Sequence, residues 1–297
     1  MLICCFVVTS CISFAPRSPE TVPFPEALVP EWRPFAQDSG LGLDYIEVRI
    51  REPRLQLWAI RVDLTEPALR IVVSESAPVG GPMQAGIIPS IKVSSFVRHF
   101  ECLGGINTNP FRPASAQEGE ERTILGITVS EHTLVALPYP PYDALVFYED
   151  QRAAIVNQAV LTDVGSTGLE GIRNAVGGFY AVLRDGQITE AARSERGQVR
   201  YPRSAAGLSA DGLTLYLLVI DGRRPGSIGA TEAELAVILR QLGANDGLNF
   251  DGGGSSALAL RYPDGQVRVV NTPIHGGIPG RERSVATCLG IGTQSGY

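Results

Sequence analysis

Residues 205–220 read AAGLSADGLTLYLLVI. Two apolar runs, 205–208 and 213–220, flank Ala210-Asp211-Gly212, a turn signal that closes an antiparallel pair of strands. Shortly downstream, Thr231 stands three residues before Glu234, the spacing of a capping box. Leu235, Ile238, Leu239 and Leu242 then set an apolar stripe on one helical face, and Gly243 is a natural stop. A further strand is predicted at 247–250. The pattern is a sheet made by hairpins with helices laid on it.

Outward from this stretch the same grammar repeats. Strands are predicted at 45–50, 55–64 and 69–73. Leu55 and Leu57 lie on one alternating phase, and Trp58, Ile60, Val62 and Leu64 on the other, which predicts a bulge near Leu57. Ile91, Val93, Phe96, Val97 and Phe100 have helical spacing. Residues 124–129 are expected to pair with 133–137, and 144–148 with 153–156. Residues 179–183 lead into an Asp185-Gly186 turn, and strands close the chain at 257–262, 267–270 and 285–291. No repeat or linker interrupts 41–297, so the reading is one α+β domain of mixed, mostly antiparallel sheet with a few helices.

Composition narrows the function. The 297 residues carry 44% hydrophobic and 19% charged side chains, 33 glycines and 21 prolines, which suits many short strands. The formal net charge of -6 gives a nucleic-acid role no electrostatic support. Lys92 is the only lysine, so nearly every cation is a guanidinium, a group suited to phosphate. Residues 1–15, MLICCFVVTSCISFA, are apolar but too short to span a bilayer and read as a signal-peptide segment. Val8-Thr9-Ser10-Cys11 resembles a bacterial lipobox. The expectation is a chain secreted or lipid-anchored at the cell envelope, touching membrane only through a lipid on Cys11. Plain secretion and a buried first strand are the other readings. Residues 16–40, rich in Pro, Ser and Glu, are expected to be a tether, with the domain at 41–297. Cys102 and Cys288 are either bridged or two buried thiols.

The densest chemical signal is Asn249-Phe250-Asp251-Gly252-Gly253-Gly254-Ser255-Ser256. An apolar strand delivers a carboxylate, then three glycines that permit close backbone approach, then two hydroxyls. Successive N–H groups in such a turn can form an anion-binding nest; a plain glycine hairpin is the bland reading. Gly252 to Ala257 formally fits a dinucleotide fingerprint, but a Pro263-Asp264-Gly265 turn follows where a helix is required. Ser255 lacks the flanking pattern of a nucleophile elbow, and no zinc-type cluster occurs. Further candidates are Asp221 in Asp221-Gly222-Arg223, Arg203 in Pro202-Arg203-Ser204, Arg283 after Glu282, and Asn107 in a glycine-led loop with Asn109. Solvated charge or a turn is the default for each alone.

Together these pieces resemble the phosphodiester glycosidases, which remove a sugar from a sugar-phosphate diester. The shared elements run from Asn107 and Phe111 through Gly177-Gly178-Phe179, Pro202-Arg203-Ser204 and Asp221-Gly222-Arg223. They continue with Ser227, Gly229, Thr231, Glu234-Leu235-Ala236 and the block from Leu242 to Ser256, and end at Glu282-Arg283. The resemblance spans 104–292. It implies Asp251 as first catalytic carboxylate and Asp221 as second, with Asn107, Arg203, Gly252, Gly253, Gly254, Ser255 and Arg283 binding substrate or phosphate. No cofactor is implied, although Asp221, Asp251 and asparagines could hold a single divalent cation. The expected reaction is hydrolysis of the glycosyl–phosphate bond of a carbohydrate or glycophosphate. A metal-assisted phosphodiesterase and a non-catalytic glycan-binding lipoprotein are the competing classes. Thr108 and Asn109 stand where many members have two glycines, a change in loop room that bears on substrate more than on reaction class.

Overall fold

A computed structural model describes residues 28–35, 42–75, 86–162 and 169–294. The expected signal segment, Cys11 and most of the expected tether lie outside these residues.

The strand Leu55–Asp63 is the third strand of an eight-stranded sheet. It pairs with Leu43–Ile50 on one side and Thr214–Ile220 on the other, and both ladders run antiparallel without a register shift. The bulge expected near Leu57 is therefore absent. Its apolar residues occupy both phases because both faces of the strand are buried. Leu55, Leu57 and Ala59 face one side with Tyr216, Leu218 and Ile220, and there they meet Leu235, Ile238, Leu239 and Leu242 of the helix Glu232–Leu242. Trp58, Ile60 and Val62 face the other side with Leu215, Leu217 and Val219. Period-two alternation forces this division.

The second face is covered by two five-stranded sheets. One contributes Leu145, Phe147, Ile155 and Val176, and the other Ile106, Leu258, Leu260 and Leu289, all in one apolar cluster. Burying each such side chain contributes about 1.5–3 kcal/mol. A three-stranded sheet joins Ile87–Pro89, Glu121–Ile124 and Phe111–Arg112. Every pairing between named strands is antiparallel, a lone parallel bridge joins Ile274 to Arg281, and the α-helices among the described residues are three: Val93–His99, Glu190–Arg193 and Glu232–Leu242. The chain is thus mostly antiparallel sheet.

The capping box at Thr231 is present in both directions, and Gly243 takes the left-handed conformation at φ 114°. The run 124–129 does not form one strand. Gly126, at φ 101°, breaks it, so Glu121–Ile124 joins the small sheet while Thr128–Ser130 pairs with Thr133–Ala136. The last strand is Cys288–Thr293, three residues later than expected. Residues 28–35 depart from a tether: Arg33–Pro34 pair with Asp44 and Tyr45, Trp32 lies 6.0 Å from the Tyr216 ring, and Phe35 is buried. Packing therefore reaches back past Leu41. Cys102 and Cys288 are free, buried thiols, and burial pushes the Cys102 pKa up to about 12.

Candidate active site

Several strands end together. Register places Arg203 opposite Ile220, Ala205 opposite Asn249, and Asn107 opposite Cys288. The loop 251–256 leaves from this edge.

Asn107 fixes the start of the loop. Its Nδ2 donates to the Asp251 main-chain oxygen at 2.6 Å, while its Oδ1 accepts from Ser204 Oγ at 2.7 Å and from the Ala257 N–H at 3.2 Å. The Asp251 N–H donates to Thr108 O and the Gly253 N–H to Pro202 O. Asn107 is fully buried, so its role is to position Asp251; its side chain is not open to a substrate.

The Asp251 carboxylate accepts the Ser255 hydroxyl, and that hydroxyl accepts from Arg283 Nη1 at 3.1 Å. Arg283 Nε donates to His275 Nδ1 at 2.9 Å, so the His275 proton sits on Nε2. Burial raises the Asp251 pKa to about 6, against the opposing pull of Ser255, the Arg283 charge and the Gly252 N–H. Burial, with Arg283 and Arg281 nearby, lowers that of His275 and keeps the ring neutral. The result is a carboxylate more basic than an ordinary aspartate, with a guanidinium held beside it.

Part of the N–H set expected to form a nest is committed within the fold. The N–H groups of Ser255 and Ser256 turn back onto Gly252 and Gly253 carbonyls, and that of Gly253 goes to Pro202. The missing side chains also provide room for cations. A Cβ on Gly254 would lie 2.6 Å from Arg283 Nη2, and one on Gly253, at φ 63°, would lie 3.0 Å from Arg223 Nη2. Two guanidiniums rest on the loop. Arg223 is exposed, itself takes a left-handed φ of 57°, and packs 5.3 Å from the Tyr201 ring.

Two expected site residues are committed elsewhere. Asp221 is 1% exposed. It accepts from Asn271 Nδ2 and the Thr272 N–H and pairs with Arg224 at 3.0 Å. Asn271 in turn bonds Ser256 O and the Leu258 N–H, so Asp221 braces the exit of the loop. Arg203 is 5% exposed and donates to Ala230 O, Val199 O and Glu232 Oε1. It is held as a strut, without a free fork. Glu234 likewise holds Arg200, so two carboxylates from one helix start fix the segment carrying Tyr201 and Pro202. Glu282, beside Arg283, faces away: it accepts from the Ser94 N–H at 2.9 Å and the Ser94 hydroxyl at 2.7 Å, capping the helix Val93–His99.

The structure thus joins Asp251, Ser255 and Arg283 directly, and adds His275 and Arg223, which sequence reasoning passed over. The signals available for them were faint: the Asp221-Gly222-Arg223 motif for one, and the Gly276-Gly277 turn between His275 and Arg283 for the other. Among the described residues no group of three or more His, Cys, Asp or Glu is arranged to hold a metal ion.

The sequence profile described as phosphodiester glycosidase matches residues 101–292, which contain every one of these groups. The chain belongs to the phosphodiester glycosidase family. Members and neighbours of varied description resemble it. It is 27% identical over 235 residues to the SPbeta prophage-derived uncharacterized protein YomE of Bacillus subtilis (strain 168), covering 76% of this chain and 34% of YomE. The chain therefore spans about a third of the length of that relative. In fold it matches the zebrafish N-acetylglucosamine-1-phosphodiester alpha-N-acetylglucosaminidase catalytic domain, whose structure is described as auto-inhibited by its pro-peptide. The TM-score is 0.60 at 18% identity, over 89% of this chain and 88% of that one. A hypothetical protein from Synechocystis matches with TM-score 0.62 at 16% identity, over 84% of this chain and 62% of that one. At such identities the likeness is one of fold.

Proposed function

We propose that this phosphodiester glycosidase hydrolyses the bond between the anomeric carbon of a sugar and a phosphate oxygen, releasing free sugar and a phosphate monoester. The observation that carries the reading is the line Arg283–Ser255–Asp251 on a loop whose glycines admit two guanidiniums. A phosphate monoester departs far more readily than a sugar alkoxide, so charge stabilisation matters more than a general acid. Arg283 and Arg223 are the groups of that type. Asp251, ionised at neutral pH yet basic for an aspartate, acts at the anomeric carbon, either on it directly or through a water. The C1–O bond breaks, its electron pair leaves with the phosphate, and the hydroxyl from water ends on C1.

The decisive experiment incubates the protein with a panel of sugar-1-phosphodiesters in oxygen-18 water. Free sugar labelled at C1, unlabelled phosphate, and a loss of at least about 10²-fold in kcat for Asp251→Asn are expected. Label in the phosphate would instead establish attack at phosphorus. Unchanged ligand binding with no turnover in the native chain would establish a binding protein.

A cell-envelope glycophosphate is the substrate class that accords with a secreted or Cys11-lipidated chain, the location we propose from residues 1–15. No helix among the described residues is long and apolar enough to cross a membrane. Fatty-acid labelling that survives Cys11→Ala would refute the anchor.

A further inference from the structure

Beside Asp251 lies a band of rings that neither the proposed chemistry nor the core requires. Tyr139 stands 4.8 Å from Tyr142, which meets Phe179 at 5.3 Å and Tyr180 at 5.5 Å. The Arg196 guanidinium covers Tyr180 at 4.7 Å and Phe179 at 5.8 Å. Farther along, Tyr201 has Arg203 at 5.6 Å and Arg223 at 5.3 Å. The pieces connect. Arg196 is close enough to Arg203 for its charge to be felt there, the Tyr142 phenol feels the Asp251 charge, and Arg223 rests on Gly253. The band thus runs from the glycine loop outward.

Three features separate this band from ordinary packing. Tyr139 is 43% exposed and Tyr201 40% exposed, so the rings keep open faces. The support is rigid: buried Gln158 accepts the Tyr139 N–H at 2.8 Å and the Ile127 N–H at 2.8 Å, and its own N–H donates to Tyr142 O, in a stretch stiffened by Pro138, Pro140 and Pro141. Finally, Arg196 and Arg223 are exposed and neither forms an ion pair among the described residues, on a chain of net charge -6.

Open aromatic faces suit the apolar faces of pyranose rings, and unpaired guanidiniums suit phosphate or carboxylate. We propose that Tyr139, Tyr142, Tyr180, Arg196 and Tyr201 form a subsite for an anionic glycan, the part of the substrate beyond the scissile phosphate, with Arg223 marking where it meets the reaction site. The proposal rests on the phosphodiester glycosidase reading for its orientation. It makes the natural substrate a polymer of sugar phosphates, larger than a lone sugar-1-phosphodiester.

The test is calorimetric titration of the full chain with a synthetic oligomer of phosphodiester-linked sugars and with an uncharged oligosaccharide of equal length. Binding of the charged oligomer at least about tenfold tighter than of the uncharged one is expected, with a drop of about tenfold for Tyr139→Ala and for Arg196→Ala. Arg268→Ala is the matched control, since Arg268 is also exposed and also stacked, 4.6 Å from Tyr262, on a separate hairpin. It should bind as the native chain does. No binding of the charged oligomer, equal affinity for both oligomers, or equal losses in all three variants would overturn the subsite. Arg196-dependent binding without release of sugar from any substrate would instead sink the hydrolase reading and leave the subsite standing.

Discussion

Asn107 donates its side-chain amide to the main-chain oxygen of Asp251 across 144 residues of chain, at 2.6 Å. The same side chain holds Ser204 and Ala257, so three segments meet at one buried amide. Leaving such groups unpaired costs roughly 1–3 kcal/mol each before relaxation. Asn107→Ala is expected to lose about 2–4 kcal/mol of stability, and the folded remainder should show a larger fall in kcat than rise in KM. Denaturant melts run beside steady-state kinetics check both.

The acid limb of kcat/KM should report Asp251. Activity is expected to fall as pH drops below about 6, because the working form is the carboxylate. The Ser255 hydrogen bond is the largest of the influences holding that pKa down, so Ser255→Ala should move the limb to higher pH. A limb that does not move in this variant would assign the ionisation to another group.

Stability and activity should pull in opposite directions at Asp251. Its pKa in the folded chain lies above the ordinary 3.8, so the neutral carboxyl favours folding at low pH, and this advantage is lost as pH rises through about 6. An asparagine stays neutral throughout. Asp251→Asn should therefore be more stable than the native chain at pH 8, by about 1–3 kcal/mol, and close to it near pH 4. Thermal melts at the two pH values decide this.

Asp221→Ala separates bracing from catalysis. Removing one partner of a buried ion pair costs about 3–5 kcal/mol, and Asn271, Thr272 and Arg224 all lose a partner here. A marked fall in melting temperature is expected, with activity per folded molecule kept within about tenfold of native. A folded variant with turnover down a thousandfold would return Asp221 to the reaction.

Gly254→Ala tests the room beneath Arg283. The added methyl meets Nη2 at 2.6 Å, and the guanidinium, pinned by His275 and Ser255, must shift. KM for the phosphodiester should rise about tenfold, a loss of roughly 1.4 kcal/mol in binding, with little change in the melt.

Much of the fold was legible because local rules agreed with one another. The box at Thr231 and Glu234, the left-handed Gly243 and the Asp211-Gly212 turn each announce their structure from a few neighbours. Strand 55–63 reads as bulged but is regular, since two buried faces and a one-residue slip leave the same alternating trace. Residues 28–35 have a tether's composition, yet Trp32 and Phe35 find rings that no local pattern reveals. In the site, Asp251 stood out by its glycines. Asp221 and Arg203 share the same strand-end location, but which way they are engaged depends on Asn271 and Glu232, dozens of residues distant. His275 acquires meaning only once Arg283 is folded against it.

Glu282 and Arg283 are adjacent in sequence and face opposite ways, one clamped to Ser94 at the start of a seven-residue helix, the other reaching over the glycines. The dipeptide works as a lever with its fulcrum in the backbone. Should that short helix undock while the large sheet remains intact, the cation beside Asp251 would swing out of place. The proposed activity would then be lost well before the chain melts, so heat inactivation would run ahead of any loss of sheet signal.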